Sequence, residues 1–263
     1  MTRMRSKPLR GVPKYAGMSK ARSASKAPCH GVALVISKLG LGSRTAAAAW
    51  VSEGRVRVNG RVVRNAEHPV RQGVDRLEID GRRSEPAERM ALMLNKPRGL
   101  VTTTRDEQGR ETVYRCFAGA ALPWLAPVGR LDKASEGLLL FGNDPAWAHR
   151  ITDPDTGPAK TYHVQVNRPA DLGLLANLEH GITVEGERLA VKSARQLRAG
   201  EKNAWLEIVL EEGRNRQIRR LLEAFDVSVL RLVRVAIGPL KLGALGKGQW
   251  RMLTQKEMAE VAA

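Results

Sequence analysis

The run Leu138-Leu139-Leu140-Phe141 constrains the fold of this chain more than any other segment. Successive residues of a strand point to opposite faces, so four large apolar side chains in a row leave no side for water. The segment is expected at the centre of a sheet covered on both faces. The residues before it, Gly129-Arg130-Leu131-Asp132-Lys133-Ala134-Ser135-Glu136-Gly137, form a polar loop. A buried strand thus follows an acid, Asp132, that sits between Arg130 and Lys133. Cations beside a carboxylate favour its ionised form, as a nucleophile or base requires. Taken alone, an Asp between basic residues is more often a surface ion pair.

The rest of the chain from residue 90 supports the same sheet. Met90–Leu94 is apolar, Lys160–Val166 and Ala204–Leu210 alternate, and Val227–Val235 is strand-like. Ile218, Leu221, Leu222 and Phe225 fall at i, i+3, i+4, i+7 and predict a helix over 214–225. There is no βαβ rhythm with glycine-rich turns. An α+β class follows, with a mixed, mainly antiparallel sheet and flanking helices. Upstream, Val32, Val35, Ile36 and Leu39 mark one helix, Ser43 can cap a second through Val51, and Asn59-Gly60 is a two-residue hairpin turn between 55–58 and 61–64. A last short strand alternates over Arg76–Asp80. The polar stretch 83–89, with Pro86, reads as a linker between 29–82 and 90–263.

Charge narrows the function. Lysine and arginine total 44 against 27 acids, a net charge of +17, which favours a polyanionic partner. Residues 1–28 hold eight basic residues, no acid and several helix breakers, and read as a disordered basic tail. Those breakers oppose a mitochondrial presequence, which should be an amphipathic helix. Cys29 and Cys116 are far apart and without a CxxC, so neither a disulfide scaffold nor a zinc site is expected. No apolar run approaches the roughly 18 residues needed to cross a membrane. A cytoplasmic protein without metal or other cofactor is the expectation.

Two resemblances sharpen this. Gly42-Ser43-Arg44, Gly54-Arg55-Val56 and Val58-Asn59-Gly60, within residues 31–82, resemble the S4 RNA-binding domain, a small αL module. That likeness implies RNA contact through Lys38, Ser43, Arg44, Arg55, Arg57, Asn59 and Arg61, although the second helix reads Thr45-Ala46-Ala47-Ala48-Ala49 where basic or polar residues are usual. The stretch GRLDKASEGLLLFGND resembles the signature of the RsuA/RluB/RluE/RluF family of rRNA pseudouridine synthases, with Pro145 in place of its final glycine. Leu94-Asn95-Lys96-Pro97-Arg98-Gly99 with the following Thr102 and Thr103, Lys160-Thr161-Tyr162, and Glu212–Arg220 resemble further family segments in the family's order.

The resemblance implies a larger pseudouridine-synthase domain that isomerises one uridine of ribosomal RNA, 23S before 16S. It makes Asp132 the essential aspartate, Tyr162 the active-site tyrosine and Arg219 the cation beside the acid. Arg219 borders the apolar face of its helix, whereas Arg216 and Arg220 point outward. Arg130, Lys96, Ile218, Arg214, Arg216 and Arg220 are the expected substrate-binding residues. The reaction is redox-neutral, and the protein is expected to act as a monomer. The competing reading is a non-catalytic RNA-binding ribosome-assembly factor, which needs neither Asp132 nor Tyr162. A DNA-binding regulator lacks a recognition helix.

Overall fold

The structure, a computed structural model, describes residues 28–104 and 106–263. The basic tail expected over 1–28 lies, Pro28 apart, outside the described residues. The N-terminal unit starts with β1 (Cys29–Gly31), α1 (Val32–Lys38) and α2 (Arg44–Ser52). Ser43 Oγ accepts from the Ala46 amide at 3.0 Å and so satisfies one of the orphan amide donors of the helix start. Val32, Val35 and Ile36 pack against Ala47 and Val51. β2 (Val56–Val58) and β3 (Arg61–Val62) pair across Asn59 and Gly60, both at positive φ (51° and 80°), as a two-residue turn with right-handed strand twist demands. β4 (Pro69–Arg71) returns to β1, while β5 (Leu77–Ile79) and β6 (Arg82–Arg83) complete a sheet in the order β3-β2-β5-β6.

Arg83, expected to open a linker, therefore belongs to this sheet. The segment after it is tied at both ends. The Ala87 amide donates to Leu39 O at 2.9 Å. Asn143, 4% exposed, accepts from the Met90 amide at 2.9 Å and donates to Glu88 O at 2.8 Å.

The larger unit runs β7 (Ala91–Lys96), a 3-10 helix (Val113–Phe117), β8 (Ala126–Val128), β9 (Glu136–Gly142), α3 (Pro145–Thr152), β10 (Lys160–Val166), α4 (Leu172–His180), β11 (Ile182–Val184), β12 (Glu187–Leu189), β13 (Ser193–Ala199), β14 (Ala204–Leu210), α5 (Gln217–Glu223), β15 (Val229–Ile237), β16 (Leu240–Lys241), β17 (Trp250–Met252) and α6 (Gln255–Val261). The main sheet has the order β13-β14-β10-β15-β9-β7-β17, with β8 on β9 and β16 on β15. Its β9–β15 pair is parallel and the others are antiparallel. β9 is buried along its whole length and feeds two cores. Leu139 and Phe141 join the side covered by α4 and α5; Leu138 and Leu140 join the side covered by α3 and α6. Pro145 opens α3 behind the capping Asp144, so a proline stands where its missing amide costs nothing. Among the described residues no helix is long and apolar enough to cross a membrane.

α5 begins three residues later than the apolar periodicity predicts. Arg216 sits in the left-handed region at φ 48° and breaks the helical path of 214–216. Likewise the strand expected over 227–235 is shifted, to Val229–Ile237, because the chain leaves α5 through a turn at 224–226 and is irregular over 227–228.

Candidate active site

Asp132 lies in the loop between β8 and β9, and that loop is fixed mainly through its backbone. Lys96, the last residue of β7, is fully buried. Its Nζ donates to Ser135 O at 2.9 Å, Asp132 O at 3.1 Å and Pro97 O at 3.2 Å. Thr102 Oγ1 donates to Leu131 O at 2.7 Å, and the Gly99 amide to Lys133 O at 2.8 Å. The Ser135 amide closes a turn on Asp132 O at 3.0 Å. Burial pulls the Lys96 ammonium down to about 8, with the charges of Asp132 and Glu136 acting against that shift.

The Asp132 carboxylate itself makes no hydrogen bond or ion pair among the described residues. It opens into a cleft of 680 Å³ that also exposes Tyr162, Ile218, Arg219, Arg216 and Arg214. A second hollow of 640 Å³, walled by Val101–Thr103 and Asp106–Arg110, shares Arg130, Leu131 and Asp132 with the first. The loop that carries Asp132 is thus a ridge between two openings.

Tyr162 reaches the cleft from β10, where its strand parity puts the ring with the core residues Val164 and Val166; it is 8% exposed. Ile218 forms part of the apolar wall from α5. Arg219 is brought to the same cleft but not into an ion pair with Asp132, contrary to the expectation. Its Nη1 donates to Val229 O at 3.3 Å and its Nη2 to Ala134 O at 3.4 Å, while Nε is buried without a partner among the described residues. Burial lowers its pKa, Arg216 adds to that, and the Asp132 charge opposes it. The guanidinium is therefore near the acid and held by backbone on either side of the cleft.

The other expected site residues have differing surroundings. Lys96, expected to bind substrate, lines neither opening and holds the loop through its carbonyls. Arg220, expected to meet substrate, donates to Glu187 at 2.6 Å and Glu185 at 3.3 Å and so clamps the β11–β12 hairpin. Arg214 lines the cleft while paired to Glu212 at 2.8 Å and Glu187 at 3.0 Å. In the N-terminal unit Arg55 is held bidentately by Asp80 at 2.7 and 2.8 Å, and Arg57 donates to Gly60 O at 3.1 Å. Asn59 bonds Asp75 and the Arg76 amide, and Ser43 caps α2, so both serve the fold. Lys38 reaches His30 at 2.9 Å. Arg44 and Arg61 stay exposed.

Sequence reading gave no site role to Lys160, Arg234 or Gln217, all of which line the cleft. Gln217, 2% exposed, bonds Ala190 O, Glu212 and the Arg214 amide and so shapes the 212–217 turn. A signal existed for Arg234, which shares strand parity with the buried Leu232.

These placements separate two arginines that the helical wheel put together. Arg216→Ala should reduce the slope of log RNA affinity against log salt by about 0.7–0.9, the loss of one phosphate contact. Arg220→Ala should leave that slope unchanged and loosen the hairpin at Glu187. Filter binding at graded salt measures both; equal slopes for the two variants would contradict the assignment.

The profile of the RNA pseudouridylate synthase family matches residues 91–224, and that of the S4 domain matches residues 32–75. An uncharacterised RNA pseudouridine synthase of Aquifex aeolicus (strain VF5) is 39% identical over 227 residues, covering 86% of this chain and 91% of its own length. The ribosomal large subunit pseudouridine synthase B of Bacillus subtilis (strain 168) is 35% identical over 231 residues, covering 87% and 94%. A crystal structure of a pseudouridylate synthase superposes with a TM-score of 0.62 at 30% identity, covering 88% of this chain and 99% of the other. An S4 unit joined to a mixed sheet whose cleft presents an aspartate, a tyrosine and an arginine thus coincides with the matched profiles, and the chain belongs to the RNA pseudouridylate synthase family.

Proposed function

We propose that this chain converts one uridine of ribosomal RNA, in the 23S molecule, to pseudouridine, with Asp132 as its catalytic residue. The observation that carries the reading is the carboxylate of Asp132, unpaired among the described residues, in a cleft beside Tyr162, on a loop whose backbone carbonyls are held by Lys96, Thr102 and Gly99. Such fixation sets the acid in place before the substrate arrives. The B. subtilis relative's name supports the large-subunit choice.

The reaction breaks the N1–C1′ bond, turns the uracil and forms C5–C1′; N1 gains a proton and C5 loses one. A carboxylate near the ribose can attack C1′ or take a proton at C2′. Tyr162 offers a ring face to the uracil and a hydroxyl to the C5 proton. Arg219 supplies positive charge beside Asp132. The base must leave its stack to enter the cleft, and contacts to the RNA backbone offset that cost of a few kcal/mol. Arg130 and Arg216, both exposed at the cleft, provide such contacts, as do Arg44 and Arg61 on the S4 unit. The enzyme is read as a cytoplasmic monomer that needs no cofactor.

Pseudouridine mapping of rRNA with and without the gene tests the assignment. One 23S position should lose its modification. Unchanged rRNA, together with binding of rRNA by the purified protein, would favour the assembly-factor reading instead.

A further inference from the structure

Two cations in the cleft, Lys160 and Arg234, form no ion pair among the described residues. Arg234 is 6% exposed and stands on β15 directly across from Tyr162 on β10. Its Nε donates to Leu138 O at 2.7 Å. Its terminal nitrogens meet no acceptor among the described residues, and Nη2 is shut away from solvent. Lys160, two residues before Tyr162, is half-buried in the same cleft and takes part in no ion pair among the described residues. Its ammonium is pulled below the usual lysine range by burial first and by the Arg234 charge next, against a weaker pull from Asp153.

The contrast with nearby arginines is plain. Arg214 and Arg220 have Glu187, and Arg231 has Glu136 at 3.1 Å. Buried charge is ordinarily paired, because desolvation costs several kcal/mol per ion. Two desolvated cations that feel each other's charge and have no ion-pair partner among the described residues are stable chiefly where an anion visits them.

Arg234 is also locked to the catalytic loop. It pairs with Gly137 in the parallel β9–β15 contact, and a Cβ on Gly137 would lie 2.2 Å from Arg234 O. Only a glycine, here at φ 101°, lets the strands approach this closely. Arg234 therefore keeps a fixed distance from the loop that carries Asp132.

We propose that Lys160 and Arg234 form a phosphate subsite for the internucleotide phosphate next to the flipped uridine. This rests on the reading of the chain as an enzyme acting on a uridine of RNA. A nucleotide entering the cleft brings a phosphodiester on each side of its ribose. Uracil carbonyls are neutral and do not balance two charges, whereas a phosphate does, and a guanidinium fork and an ammonium are its usual donors. The subsite would hold the ribose end of the nucleotide while Tyr162, on the neighbouring strand position, faces the base.

The test uses the full-length protein and a 23S rRNA transcript labelled with tritium at uridine C5. Lys160→Gln should reduce the slope of log affinity against log salt by about 0.7–0.9, whereas Lys160→Arg should keep it. In single-turnover release the loss should fall on the half-saturating RNA concentration, by about ten-fold, one phosphate contact's worth. Arg234→Gln should act in the same direction, and Lys160 provides the reading if that buried change impairs folding. A synthetic stem-loop carrying the mapped uridine, with a neutral methylphosphonate on its 5′ or 3′ side, should bind wild type more weakly and Lys160→Gln no more weakly than the natural linkage. An unchanged salt slope in Lys160→Gln overturns the proposal. So does an equal methylphosphonate effect in both proteins, or a loss confined to the saturated rate, which would assign the pair to the uracil. Binding is read without turnover, so a wild-type protein that bound this RNA but released no tritium would refute the enzyme reading alone.

Discussion

Asp132→Asn should abolish tritium release from uridine-labelled rRNA, by more than about 10³-fold, while the protein folds and binds RNA as before. Asparagine keeps the shape of the side chain and removes its ability to act as nucleophile or base. The carboxylate makes no bond within the described residues, whereas its backbone carbonyl is held by Lys96 and Ser135. The substitution therefore removes chemistry and leaves the scaffold, and the unfolding free energy should move by no more than about 0.5 kcal/mol. RNA affinity should stay the same or rise slightly, because a negative charge leaves a cleft that receives phosphates. Single-turnover release and filter binding on the same preparation check both parts. Wild-type turnover in the Asn variant would place the catalytic centre elsewhere.

Much of this site was legible in the sequence, for reasons that differ by residue. The buried strand β9 was readable because four apolar residues in a row leave a strand only one kind of environment. Its polar predecessor then had to be a loop at the end of a covered sheet. The Asn59-Gly60 hairpin and the Ser43 cap were readable because positive φ and orphan amides are local demands that few residue types satisfy. The start of α5 was not, because apolar spacing marks a face and says nothing of where the backbone leaves the helix; a left-handed Arg216 settles that. The roles of charged side chains were the least legible. Lys96 and Arg220 both look like RNA contacts in a basic sequence. Only the fold shows that one is enclosed by backbone carbonyls and the other caught by the acids of the β11–β12 hairpin, more than thirty residues upstream. Arg219 falls between: the wheel placed it at the cleft, and the fold gave it carbonyl partners and no carboxylate.

Lys96→Met carries the second large effect and separates a holding role from a binding one. Methionine matches the length of the lysine stem, so the space at the end of β7 stays filled, but it offers no donor to Pro97, Asp132 and Ser135. A buried carbonyl left without a donor costs about 1–3 kcal/mol, and release of the buried ammonium offsets part of that, so a net loss on the order of 2–4 kcal/mol at pH 7 is expected. The loop then loses the anchor of two of its residues, Asp132 among them. A displacement of about 1 Å at a reacting group is worth about 10²-fold, and the single-turnover rate should fall by that order.

RNA affinity and its salt slope should not change, because Lys96 lines neither opening of the cleft. A reduced slope would instead mean that the lysine meets phosphate. The pH dependence gives an independent check. The folded-state pKa of Lys96 is depressed to about 8 from 10.5. Below pH 8 the amine is charged in both the folded and unfolded chains, and the cost of burying that charge is fully present. Between pH 8 and 10.5 only the unfolded chain holds the proton, so this contribution to the unfolding free energy rises with pH. It is complete above 10.5 and is lost again as pH falls through 8. Urea unfolding of wild type and Lys96→Met across pH 7–11 should show a gap that widens over that window in favour of wild type. A gap that stayed flat would mean that the amine is not held in the folded protein as a desolvated charge, and a Met variant with the wild-type rate would show that Thr102 and Gly99 suffice to hold the loop.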